Sequence, residues 1–351
     1  MDRNHLLWYG VKVKKIKKWR DFLKKDVLEW LLEDGNSAVR YYTLTKLLDE
    51  HEGSPRVFQS KKNIMRQNPV VKILSRQHQE GFWGEKDKFY TEKYKGTVWQ
   101  LIILAELGAD KKDERIKKTC EFIFHNSQDK ESGGFSIWPS LKTGGGRYSG
   151  VIPCLHGNMV FSLIRFGYLE DNRLQKAIDW IIRYQRFDDG IDKKLVGWPY
   201  DKAEPCWGKH SCHMGVVKSL KALAEIPVER RSEAINKTIQ AGTEYVLKHH
   251  IFKKSHNLEK VSKPGWLRFG FPLMYQTDIL EILIILINLG IKDYRMQEAV
   301  DVVISQQNDQ GKWVLKSTFN GRFITNIEQK GKPSKWITLR ALRILKNWYE
   351  S

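Results

Sequence analysis

Long apolar runs are missing from this 351-residue chain. A membrane-crossing helix needs about 18 or more such residues in a row. The best stretch, residues 279–286, is interrupted by Glu281. The opening Met1-Asp2-Arg3-Asn4-His5 lacks the basic start and apolar stretch of a secretory leader. Cysteine is scarce, with four residues in all. That is too few for a disulfide framework, so a reducing, cytoplasmic setting is expected. Period-2 alternation is nearly absent, so few strands are expected. No Gly-rich phosphate loop has the right spacing. Acid is in deficit, with 41 Asp+Glu against 60 Lys+Arg and a net charge of +19.

What remains is enough for a real core, since 41% of residues are hydrophobic and 12% aromatic. The excess charge suits nucleic acid, anionic lipid or a phosphorylated substrate. It equally suits lysines that solvate a helical surface, and they are spread along the whole chain. Residues 11–32 are a local concentration. Val13, Ile16, Trp19, Phe22, Leu23, Val27, Trp30 and Leu31 fall on one helical stripe, crowded by lysines and Arg20. Such a basic amphipathic helix lies on a membrane surface or packs on its own protein body.

An internal repeat organises the rest. A glutamine, an acidic or Gly-rich turn and an aromatic recur. The copies are Gln79-Glu80-Gly81-Phe82-Trp83, Gln128-Asp129 to Gly133-Gly134-Phe135, Gln185 to Gly197-Trp198, and Gln307 to Gly311-Lys312-Trp313. Gly265-Trp266 is a degenerate copy. After each turn comes an apolar helix, expected over residues 97–107, 158–166, 212–223, 275–289 and 336–345. Asp113-Glu114-Arg115, Asp171-Asn172-Arg173 and Asp293-Tyr294-Arg295 then open second helices over 116–124, 174–184 and 296–306. An Asp at a helix start caps free amides and matches the dipole. The nearly uniform apolar character of residues 101–107 and 279–289 marks helices buried on all sides.

These Gln-aromatic turns resemble those of squalene and terpenoid cyclases and of protein prenyltransferase β subunits. The resemblance covers residues 75–345 and implies an all-α fold. The expected architecture is an α/α toroid of about five helical hairpins around a central cavity lined by aromatic and apolar side chains. Residues 1–70 are expected to form an N-terminal helical segment, with a HEAT-like start at Asn36 to Leu44, and residues 71–351 the toroid.

Three of the four cysteines lie near three histidines, in Cys154-Leu155-His156 and in Cys206-Trp207-Gly208-Lys209-His210-Ser211-Cys212-His213. Each group precedes or opens an apolar helix, so the two face one another across about one helix spacing, 8–10 Å. Thiolates and imidazoles suit tetrahedral zinc. Equally, free cysteines and satisfied histidines are ordinary core residues. His210-Ser211-Cys212 resembles the His-Thr-Cys segment of the prenyltransferases, whose histidine binds zinc, and Cys154 resembles their zinc cysteine. Their aspartate two residues earlier is replaced here by Ile152, which leaves Cys206 or Cys212 to complete the set. Cys212-His213 is also similar to the zinc pair of lanthionine cyclases. The expected metal ligands are therefore Cys154, Cys206, His210 and Cys212, with His156 and His213 as acid/base groups. Arg147, which matches a diphosphate-binding arginine of the prenyltransferases, joins Tyr148, Trp207, Lys209 and Arg268 as candidate substrate contacts.

Other acids offer less. The Asp-x-Asp-Asp of squalene cyclases is absent. Asp188, Asp189 and Asp192 match the magnesium-binding spacing of class I terpene synthases and could also serve a glycosidase, yet they lie on a repeat turn. The expectation is a zinc-dependent enzyme acting on an isoprenoid or other apolar substrate. The alternative is a non-enzymatic repeat protein that binds nucleic acid or a protein partner through its basic surface, with salt-dependent affinity for nucleic acid.

Overall fold

The computed structural model describes residues 18–190, 195–208 and 210–350. Four helices come first: α1 (Leu28–Leu31), α2 (Ser37–Lys46), α3 (Pro55–Ile64) and α4 (Val70–Leu74). Pairs follow, α5 (Thr97–Leu107) with α6 (Glu114–Asn126) and α7 (Pro153–Arg165) with α8 (Asn172–Tyr184). After a short α9 (Glu204–Trp207), α10 (His213–Ala224) pairs with α11 (Glu233–Lys248), and α12 (Ile279–Asn288) with α13 (Gln297–Ser305). Helix α14 (Lys335–Tyr349) closes the series. Among the described residues, the strands form one hairpin, β1 (Lys253–Lys254) against β2 (Asn257–Val261). The fold is all-α in class, and among the described residues no helix is long and apolar enough to cross a membrane.

The first helix of each pair is buried on most sides. Helix α5 buries every residue except Glu106, and α7 buries Pro153 through Ile164. The second helices bury one stripe, as in Leu174, Ala177, Ile178 and Ile181 of α8. The apolar helices pack on one another in chain order, α5 on α7, α7 on α10, α10 on α12 and α12 on α14. Arg340 of α14 donates to Glu106 of α5 at 2.9 Å, so the series returns to its start. Helices α7 and α10 approach most closely at Gly157, where a Cβ would lie 2.4 Å from the Lys218 backbone.

The repeat motifs have a mechanical role. Asp113, Asp171 and Asp293 each accept the amide and the guanidinium of the arginine two residues on. Arg173 then reaches Glu121 on α6, and Arg295 reaches Glu244 on α11, tying neighbouring outer helices together. The turn glutamine bonds to the start of the next outer helix: Gln77 to the Arg115 carbonyl and Gln128 to the Arg173 carbonyl. Gln77, not the expected Gln79, fills the first position. Its spacing to Trp83 equals that of Gln307 to Trp313, and each indole donates ten residues back, to Ile73 and Val303.

The N-terminal segment occupies the place of a next repeat. Gln307 bonds Phe22 and Lys24 instead of an outer helix. Gly311, at φ +74°, leaves room for the Lys25 carbonyl, as Gly81 does for Lys118 and Gly133 for Lys176. This corrects the expected continuous helix over 11–32. The described part is a 3₁₀ turn (Trp19–Phe22), a bent, non-helical link and α1. The link leaves the helix because the Lys24 amide goes to Gln307 and not to a helical carbonyl. Its stripe packs on the protein itself: Trp19, Val27 and Leu31 are buried, and Phe22 stacks on Tyr349 at 3.9 Å. Residues 11–17 lie outside the described residues.

The interior also departs from expectation. The space between the apolar helices is not an aromatic-lined cavity at the end of α10. Lys218, Lys221, Glu106, Glu281 and Arg340 pair there and leave a pocket of about 80 Å³.

Candidate functional site

Helix α7 begins at Pro153, five residues before the expected start, because proline presets the first helical turn. Cys154 and His156 therefore lie on the helix and not ahead of it. A Cβ on Gly215 would meet Pro153 at 2.7 Å and Cys212 at 3.7 Å, so the starts of α7 and α10 nearly touch. Cys206, on α9, joins them. Burial, then Cys206 and Cys212, push the Cys154 thiol up, and burial with Cys212 pushes Cys206 up to about 11. Both are thiols at neutral pH. Among the described residues, no three His, Cys, Asp or Glu side chains stand together as a metal-binding group.

His156 is a structural peg. Its Nδ1 accepts from the Phe135 amide at 3.0 Å and its Nε2 donates to the Ala177 carbonyl at 2.8 Å. In the last repeat the hydroxyl of Thr338, at the same helical position, accepts from the Trp313 amide. Burial pulls the His156 pKa down to about 3, so the ring is neutral. With both nitrogens taken, it has no capacity for the expected acid/base role.

His210, Cys212 and His213 do come together, in a cleft of about 700 Å³. The β1–β2 hairpin forms one wall with Lys254, Ser255 and His256; Tyr245 and Lys248 of α11, with His249 just past its end, form another. His213 stacks on Trp266 at 4.1 Å, and burial with His249 and Lys263 nearby lowers its pKa to about 3. Its Nε2 is buried without a hydrogen-bond partner, as is that of His249. His249 Nδ1 lies 3.0 Å from the Lys253 carbonyl. A carbonyl only accepts, so Nδ1 carries a proton. Asp189 Oδ2 lies 3.8 Å from that Nε2 and 3.6 Å from Lys248 Nζ. Burial alone would raise Asp189, but Ser255, His249 and Lys248 outweigh it and hold the carboxylate below its ordinary range.

The remaining candidates fall elsewhere. Trp207 is 1% exposed and packs among Trp180 and Tyr200, so it is core and not a substrate contact. Arg147 lies over Trp138, and Tyr148 meets Trp198; neither lines the cleft, and nor does the exposed Arg268. His210 accepts the Gly190 amide at 3.1 Å. Lys209 and Asp192 lie outside the described residues. Asp188 is held by Arg186 and Ser211, away from the direction Asp189 takes, so the two do not converge as a magnesium pair. Sequence reasoning missed His249 and its partner Tyr245. The only signal was Asp189 itself, singled out for a different chemistry.

No protein-family model matches the chain, and no curated protein matches it in sequence. Among solved structures it is similar to the type II terpene cyclase MstE from Scytonema in its apo form. Identity is 14% over 89% of this chain and 87% of that chain, with a TM-score of 0.42. A variant of that cyclase in complex with geranylgeranyl dihydroxybenzoate gives 15% identity over 89% and 86%, also at 0.42. These values carry no argument about activity.

Proposed function

We propose that the chain is an enzyme built on an α/α toroid of about five helical hairpins. It works by acid–base chemistry on a substrate with an apolar body and an anionic head, of the isoprenoid diphosphate class. One observation carries the reading: His213 and His249 line a lysine-rimmed cleft, each has a buried Nε2 without a hydrogen-bond partner, and Asp189 lies 3.8 Å from that of His249. His249 takes a proton at Nε2, and the ionised Asp189 holds the resulting imidazolium. The same proton is then available to a leaving or developing group. His213 offers a neutral ring beside it. Trp266 and Tyr245 supply flat faces for the apolar body, and Lys248, Lys254 and Lys263 attract the head. Calorimetric titration with a prenyl diphosphate tests the binding half. Replacing Lys248 and Lys263 with Met is expected to weaken binding about tenfold or more. Equal binding by that variant and the wild type would contradict the assignment.

The mutual influence of the Cys154, Cys206 and Cys212 thiols favours a second reading, in which they and His210, which do not stand as a ready ligand group, draw together around zinc. Elemental analysis of the purified chain is expected to find one zinc per chain, lost on replacing Cys154 with Ala. Metal-free wild-type protein, or retention of zinc by the variant, would remove this reading.

A further inference from the structure

The pocket at the other end of the apolar helices has donors without acceptors. Cys154 opens α7 and Arg165 ends it, eleven residues or about 16 Å along the axis. Five cations gather at that end, Arg165, Lys218, Lys221, Arg340 and Arg343, against three carboxylates, Glu106, Glu225 and Glu281. Lys218 takes both oxygens of Glu281 at 2.7 Å. Lys221 bridges Glu106 and Glu281, and Arg340 Nη2 takes Glu106. Arg165 lies 3.7 Å from Glu225 and donates to the Tyr42 hydroxyl. Arg343 has no carboxylate among the described residues; its Nη2 donates to Asn288 at 2.9 Å.

Three buried N–H groups are left without partners: Trp336 Nε1, Arg340 Nη1 and Arg343 Nε. All three residues line the same pocket, and all lie on one face of α14, four and three residues apart. Buried donors are normally satisfied, and buried charges are normally paired. Here four lining cations meet three lining carboxylates, Lys218 behind them adds a fifth cation on Glu281, and three donors are spare. Burial, with Arg340 and Arg165 nearby, pulls the Arg343 pKa down to about 10, which is the cost of that excess. A water-sized atom needs about 10–15 Å³ of such space. The pocket's 80 Å³ therefore takes roughly five to eight heavy atoms.

We propose that this pocket is a binding site for a small tetrahedral oxyanion of the phosphate class, held by Arg340, Arg343 and the Trp336 indole. It is separate from the cleft, and its failure would leave the cleft untouched. The anion accepts the three spare donors and brings the network near neutrality, and it stabilises the folded chain by mass action.

Inorganic phosphate is the probe, titrated into the full chain at constant ionic strength, with chloride as the control. The melting temperature is expected to rise with phosphate and not with chloride. Replacing Arg343 with Met is expected to remove the rise. Trp336→Phe deletes only the N–H and is expected to weaken phosphate binding by about tenfold. It carries the test if the Arg343 variant does not fold. The double replacement of Lys248 and Lys263 with Met removes any phosphate binding in the cleft and is expected to keep the part of the rise that depends on Arg343. The proposal is overturned if phosphate and chloride act alike or if Trp336→Phe binds phosphate as the wild type does. It is also overturned if the response disappears with the cleft lysines.

Discussion

At the scale of single residues, identical side chains have opposite assignments according to what surrounds them. His156 and His213 read alike in the sequence, each at an apolar helix start beside a cysteine. The structure spends both nitrogens of His156 on backbone and leaves His213 Nε2 open. Replacing His156 with Thr, the residue found at the matching position 338, is expected to preserve any activity. It keeps an acceptor near the Phe135 amide but strands the Ala177 carbonyl, at a cost of about 1–3 kcal/mol at pH 7. The pH dependence has a defined sign. With a folded pKa of about 3, wild-type His156 stays neutral while the unfolded chain takes up a proton below about pH 6.5. Its contribution is therefore complete above pH 6.5 and is lost as pH falls towards 3. The gap between wild type and variant should shrink by about 1.4 kcal/mol per pH unit in that window. Urea melts at pH 7, 6 and 5 measure it, and a constant gap would show that His156 is not held neutral. The same contrast explains why the site was only partly legible. Cys212, His213 and Asp189 stood out by type and spacing. His249 reaches them only through the packing of α11 on α10, and no spacing in the chain announces that.

At the scale of elements, the close approach of α7 and α10 reverses a helix-propensity rule. Alanine ordinarily stabilises a helix interior by about 0.5–1 kcal/mol relative to glycine. At Gly157 the added methyl would meet the Lys218 backbone at 2.4 Å. Gly157→Ala is therefore expected to destabilise by about 1–3 kcal/mol, read as a lower urea midpoint. A gain in stability would mean that the helices stand further apart. The helices themselves were plain in the sequence. Residues 97–107 match α5 residue for residue, because a largely apolar run bounded by Gly96 and Gly108 leaves one solution. The start of α7 was not plain, because Cys154 to Gly157 has no apolar period. The role of residues 19–25 as a stand-in for the next repeat was hidden for another reason. The bonds of Phe22 and Lys24 to Gln307 span more than 280 residues of chain.

At the scale of the whole molecule, the excess positive charge divides into parts. Many surface lysines pair with neighbouring acids, as Lys86 does with Glu80 and Lys88 with Glu85. Such exposed pairs contribute little stability. Among the described residues, cations outnumber acids at the rim of the cleft and in the pocket beside α14, and both favour anionic ligands. The most direct measurement of the proposed chemistry is turnover of a prenyl diphosphate, followed by mass spectrometry of the products, for the wild type beside His249→Gln and Asp189→Asn. Turnover by the wild type is expected, with kcat lowered about 10²- to 10⁴-fold in His249→Gln. Asp189→Asn should fall between them, and all three should keep the same helical circular dichroism. Wild-type turnover that survives unchanged in His249→Gln, or a wild type that converts no prenyl diphosphate, would contradict the assignment of the cleft.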